Sequence, residues 1–113
     1  MRVTREQTQQ LHVVLSQFFK TIPYRLYLYG SRVHNDLKGG DFDLLVLTNA
    51  DGLKIFREYE LDILVELKKQ SEIGQRKIDI KAVTEDDLKQ KPFFKLVEQD
   101  MVELIREVED KLG

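Results

Sequence analysis

Apolar residues recur along the chain with two different periods, and the switches between them mark out its elements. Leu11, Val14, Leu15, Phe18 and Phe19 are spaced as one face of a helix, which predicts a helix over 4–20. Thr4, just ahead of Glu6 and Gln7, suits its cap, and Pro23 closes the segment. Tyr24 to Tyr29 is a short aromatic and apolar run that reads as a strand, broken by Gly30-Ser31. A short helix to about Leu37 suits the next stretch, and Lys38-Gly39-Gly40 reads as a loop. Asp41 to Thr48 is a second strand; its unbroken run Leu44–Leu47 predicts a central strand covered on both faces. Asn49, Asp51 and Gly52 are turn chemistry, and Ile55, Phe56, Tyr59, Ile63 and Leu67 predict a helix over 55–70.

Ser71 to Gln75 turns the chain into a third strand, Lys77 to Val83, where Ile78, Ile80 and Ala82 alternate with Asp79, Lys81 and Val83. Glu85, Asp86 and Asp87 begin a polar connection with room for a helical turn. Pro92 suits the start of a final helix with Phe93, Leu96, Val97, Met101, Leu104, Ile105 and Val108 as its apolar face. The elements then alternate between helix and strand throughout. That is a small α/β domain occupying 1–113, without repeats or linkers, and the helix between the second and third strands leaves room for parallel pairing.

Composition narrows the chemistry. The 113 residues are 42% hydrophobic and 34% charged, a globular balance for one domain. There is no cysteine, which excludes a disulfide scaffold, a thiolate nucleophile and sulfur-ligated zinc. With His12 and His34 the only histidines, a histidine-rich metal site is implausible. A net charge of -2 gives no global pull toward nucleic acid. No apolar run is long enough for a membrane span, and Glu6 and Gln7 stand where a signal peptide would be apolar, so the expected compartment is the cytoplasm.

Three features at strand ends or on strands carry candidate chemistry. Gly30-Ser31 follows an apolar strand; glycine lets backbone approach an anion, and the alternative is a plain turn with a serine cap. Asp41 and Asp43 flank Phe42, so alternation puts both carboxylates on one strand face. They repel each other unless a cation compensates, and Mg²⁺, which shares oxygen ligands with phosphates, is the natural one; a solvated strand end is the alternative. Asp79 sits between Ile78 and Ile80, an unusual place for an acid. It either joins the other two carboxylates or pairs, on an edge strand, with Arg76 or Lys81. Taken together, the three suit a nucleotide held by its phosphates, Mg²⁺ on those phosphates and an activated acceptor hydroxyl.

Gly30-Ser31-Arg32, Asp41-Phe42-Asp43-Leu44-Leu45-Val46 and Arg76-Lys77-Ile78-Asp79-Ile80 together resemble the minimal nucleotidyltransferase (MNT) group of the polymerase beta-like superfamily. The resemblance covers about residues 24–83 and implies a short mixed sheet with flanking helices. It implies that Gly30 and Ser31 grip phosphate with Arg32 beside them, that Asp41, Asp43 and Asp79 are the catalytic metal ligands, and that ATP and Mg²⁺ are used. Val33, His34 and Asn35 depart from the alanine and glycine common after the serine, and Gly39-Gly40 replaces a common serine; neither removes a catalytic group.

Proteins of this group and size are usually paired with a small helical HEPN protein, often an RNA-cleaving toxin. The resemblance therefore implies an antitoxin that transfers AMP to a tyrosine of that partner. Two other readings stand beside it: a protein that masks a toxin without catalysis, and the catalytic subunit of an antibiotic-type adenylyltransferase, completed by homo- or hetero-oligomerisation. The loose cluster Lys68, Lys69, Arg76, Lys77 and Lys81 reads equally well as a solvated helix end, so a nucleic-acid partner is not expected. The acidic residues from Glu98 to Asp110 suit either a basic partner or solubility.

Overall fold

The structure, a computed structural model, describes residues 3–29, 42–92 and 101–107. Helix α1 (Arg5–Phe19) starts at Thr4, whose Oγ1 accepts from the Gln7 amide while Gln7 Oε1 accepts from the Thr4 amide. Each group thus satisfies a backbone partner the helix end leaves over. Leu11, Val14, Leu15 and Phe19 are fully buried, each contributing about 1.5–3 kcal/mol of apolar burial.

Strand β1 (Tyr24–Leu28) runs antiparallel to β2 (Phe42–Thr48). From Leu44 to Thr48 every residue of β2 is buried, as expected of a strand covered on both faces. Helix α2 (Ala50–Lys68) begins earlier than the apolar spacing suggests. Asn49 Oδ1 accepts from the Gly52 amide at 2.9 Å, so the apparent turn residues are the cap and first turn of the helix. A break from helical geometry at Tyr59 bends α2, and the Tyr59 ring meets Phe18 of α1 at 5.8 Å between centroids.

This helix is the crossover that lets β3 (Ile78–Val83) pair parallel to β2. Lys68 Nζ donates to the Arg76 carbonyl and helps close the connecting turn. The polar connection after β3 is a helix, α3 (Glu85–Gln90), capped by Thr84.

The chain returns to the sheet as β4 (Val102–Glu107), antiparallel to β1. Here the expected final helix is wrong over 102–107; its stretch from Phe93 to Asp100 and its end at Val108 lie outside the described residues. Leu26 pairs with Ile105 and Tyr27 with Glu103, so Leu104 is an extra residue in a β-bulge. Leu104 and Ile105 therefore both pack toward the main core, and Glu103 and Arg106 come together on the other face at 3.1 Å. Adjacent apolar residues and an ion pair three residues apart imitate a helix.

The sheet order is β3-β2-β1-β4, a short mixed sheet flanked by helices. One face, with Tyr24, Leu26, Leu28, Phe42, Leu44, Val46 and Ile80, packs on α1 and α2 as the main core. On the other face Leu45, Leu47 and Val83 form a smaller cluster with Tyr29 and with Leu88 of α3.

Candidate active site

The second face also carries the acids. Asp43 and Asp79 are register partners across the parallel β2–β3 pair. Neighbouring strands lie about 4.8 Å apart, so the two side chains leave the sheet side by side. Alternation sets Asp43 in the same row as Leu45 and Leu47, and Asp79 in the row of Lys81 and Val83. Leu88 covers the far end of this face. Asp43 is half-buried and Asp79 exposed, so solvent and solutes reach the pair.

Lys81 completes the cluster. Its Nζ donates to both Asp79 oxygens, at 3.1 and 3.2 Å, and to the Tyr29 hydroxyl at 3.4 Å. Burial pulls the Lys81 ammonium down, but the Asp79 hydrogen bond and the neighbouring Tyr29 outweigh it and hold the group above the usual lysine value. Burial raises the Tyr29 phenol; the Lys81 charge and hydrogen bond offset part of this, while Asp79 and Asp43 add to it. The backbone joins the same groups, since the Tyr29 amide donates to the Asp43 carbonyl at 3.0 Å.

The sequence left open whether Asp79 shares a face with Asp43, since that needs their strands to be neighbours; the structure makes them neighbours and brings the two acids together. Among the described strands β3 lies at the edge, and Asp79 pairs with Lys81 as the alternative reading of this acid had it, while also standing beside Asp43. Gly30, Ser31, Arg32 and Asp41 lie outside the described residues. Among the described residues no group of three or more His, Cys, Asp or Glu gathers as a metal cage. The chemistry of the two acids that are described suits Mg²⁺: both offer hard oxygen donors, and an ammonium already sits against one of them. Lys81 and Tyr29 were the residues sequence reasoning undervalued at this site. The signal was present, because Lys81 stands two residues after Asp79 on an alternating strand.

A cavity of about 650 Å³ opens at the other end of the sheet, beside Thr48, Asn49 and Thr84. Among the described residues Glu85, Asp86 and Glu107 line it with Arg25, an excess of negative charge that repels a triphosphate. The open face around Asp43 and Asp79 is the better candidate.

A mixed sheet with helices, bearing paired carboxylates on adjacent parallel strands, is the arrangement of a polymerase beta-like nucleotidyltransferase domain. The sequence pattern of the nucleotidyltransferase domain family matches residues 9–111, and the chain belongs to that family. No curated protein matches it. No helix among the described residues is long and apolar enough to cross a membrane.

Proposed function

We propose that this chain is a Mg²⁺-dependent nucleotidyltransferase that moves AMP from ATP to a hydroxyl, a tyrosine of a helical HEPN toxin, and so acts as an antitoxin. The observation that carries the chemistry is the in-register pair Asp43 and Asp79 on a solvent-reachable sheet face, in a chain of the nucleotidyltransferase family. Asp41 and Asp43 are assigned as metal ligands, with Asp79 as the third carboxylate. Gly30, Ser31 and Arg32 are assigned to the phosphates. A bound magnesium ion would supply neutralisation of the triphosphate and of the charge that develops on it.

Asp79 accepts the proton of the attacking hydroxyl; the new bond forms from that oxygen to the α-phosphorus, and pyrophosphate leaves. Leu45, Leu47 and Val83 give the acids a packed, rigid base, so their separation is set by strand pairing rather than by loop motion. The partner supplies the acceptor hydroxyl, and the 113 residues serve as a single catalytic domain.

Incubation with α-labelled ATP, Mg²⁺ and the helical protein encoded beside this one tests the assignment. Label is expected on that protein with the wild type and none with Asp43→Asn. Absence of label with every nucleotide overturns it. Toxin neutralisation that survives loss of both Asp41 and Asp43 shows masking instead, and transfer to an aminoglycoside by the isolated chain shows a small-molecule enzyme.

A further inference from the structure

Lys81 stands where positive charge is wanted before any divalent ion arrives. Its ammonium straddles the Asp79 carboxylate, 3.2 Å from Oδ1 and 3.1 Å from Oδ2. Two residues apart on an extended strand, these side chains share a face, so the pair needs no distortion of backbone. The Lys81 and Asp79 side chains are 42% and 49% exposed. Neither charge is locked away, and the pair can open into solvent at little cost.

Lys81 also touches the Tyr29 hydroxyl, and Tyr29 is the residue directly before Gly30-Ser31. Its Nζ therefore bridges the third carboxylate and the strand that leads into the assigned phosphate turn. Lysine suits such a double task, being a compact charge on a flexible stem that favours carboxylate and phosphate alike.

We propose that Lys81 is a placeholder cation. Its ammonium neutralises Asp79 while no divalent ion is bound, yields that carboxylate to the ion, and then binds phosphate oxygens of the nucleotide. The proposal rests on Asp43 and Asp79 being metal ligands. It makes Lys81 a competitor of the metal alone and a helper of the metal-nucleotide complex. A residue that merely keeps Asp79 in place would help both, and a bystander charge would change neither.

Binding of Mn²⁺ alone, followed by the paramagnetic resonance of the free ion, and binding of Mg²⁺-ATP, followed by calorimetry, separate these roles without any acceptor. Lys81→Met is expected to bind Mn²⁺ about two- to fivefold tighter, the strength of an exposed ion pair, and to bind Mg²⁺-ATP more weakly. Lys81→Arg, which keeps the charge, should return both affinities toward wild type. Circular dichroism melting confirms that each variant is folded, as expected for an exposed side chain. Changes in the same direction for both ligands, or no change in either, overturn the placeholder role. The metal-site reading has its own control. If Asp43→Asn and Asp79→Asn bind Mn²⁺ as wild type does, that reading falls and takes the placeholder with it. Loss in those variants with unchanged affinity in Lys81→Met removes the placeholder alone.

Discussion

Tyr24 joins α1 to the sheet, and replacing it with phenylalanine should make the protein more stable. The residue is 97% buried, its ring packs on Phe19 with centroids 5.0 Å apart, and its hydroxyl has no hydrogen-bond partner among the described residues. Burial pushes the phenol up to about 12; the Ser16 side chain, near but outside hydrogen-bond geometry, offsets part of this, and the Glu107 charge adds to it. A buried hydroxyl without a partner costs about 1–3 kcal/mol. Tyr24→Phe keeps the ring and removes that cost, so a gain of about 1 kcal/mol at pH 7 is expected, or about 4 °C in Tm. The pH dependence has a definite sign. The folded protein holds the phenol neutral above the pH at which the unfolded chain releases its proton. Stability from Tyr24 is complete below the ordinary phenol value of 10.0 and is lost as pH rises toward about 12. The loss across that window is about 2–3 kcal/mol, at about 1.4 kcal/mol per unit. Urea unfolding of both proteins at pH 7, 10 and 11.5 reads the difference, because the two proteins differ only in this hydroxyl. A phenylalanine variant less stable at pH 7, with a difference that does not widen above pH 10, refutes the reasoning.

Three other perturbations probe separate parts of the structure. Asp43→Asn should leave Tm within a few degrees of wild type while transfer falls more than about 100-fold, beyond the ~10–100-fold typical of groups that only support a ligand; a melt and a labelled-ATP assay read the two effects. Gly52→Ala should cost about 1–3 kcal/mol in urea unfolding, because the added methyl runs into the Thr48 side chain, whose Oγ1 donates to the Pro23 carbonyl. A double-mutant cycle on Glu103 and Arg106 should give a coupling of about 0.2–1 kcal/mol, the range for an exposed pair, and keep it in a variant lacking Leu104, which leaves the two residues on the same face of a regular strand with only Ile105 between them.

What could be read from the sequence follows from how local its causes are. Thr4 and its capping partner Gln7, the apolar face of α1 and the doubly covered β2 depend on neighbouring residues alone, and each forms where the pattern puts it. Alternation could assign Asp41 and Asp43 to one face of their own strand, but setting Asp79 beside Asp43 needed β2 and β3 to be neighbours, which α2 provides as a crossover. Residues 102–107 misled because the β4 bulge sets Leu104 and Ile105 on one side, which a regular strand never does. Pairing with β1 decided that segment, and no local period records it. Asn49 misled in a smaller way, since its side chain serves turns and helix caps alike.

The proposed chemistry turns on a metal ion binding at the carboxylate pair of this sheet. Titrating Mn²⁺ into the labelled protein and following amide signals by NMR reads that location directly, because the ion broadens the resonances nearest to it. A site on the carboxylate pair predicts that Asp43, Asp79 and Lys81 broaden first, and that Asp79→Asn abolishes the effect. Broadening centred instead on Glu85, Asp86 and Glu107, at the opposite end of the sheet, would contradict it.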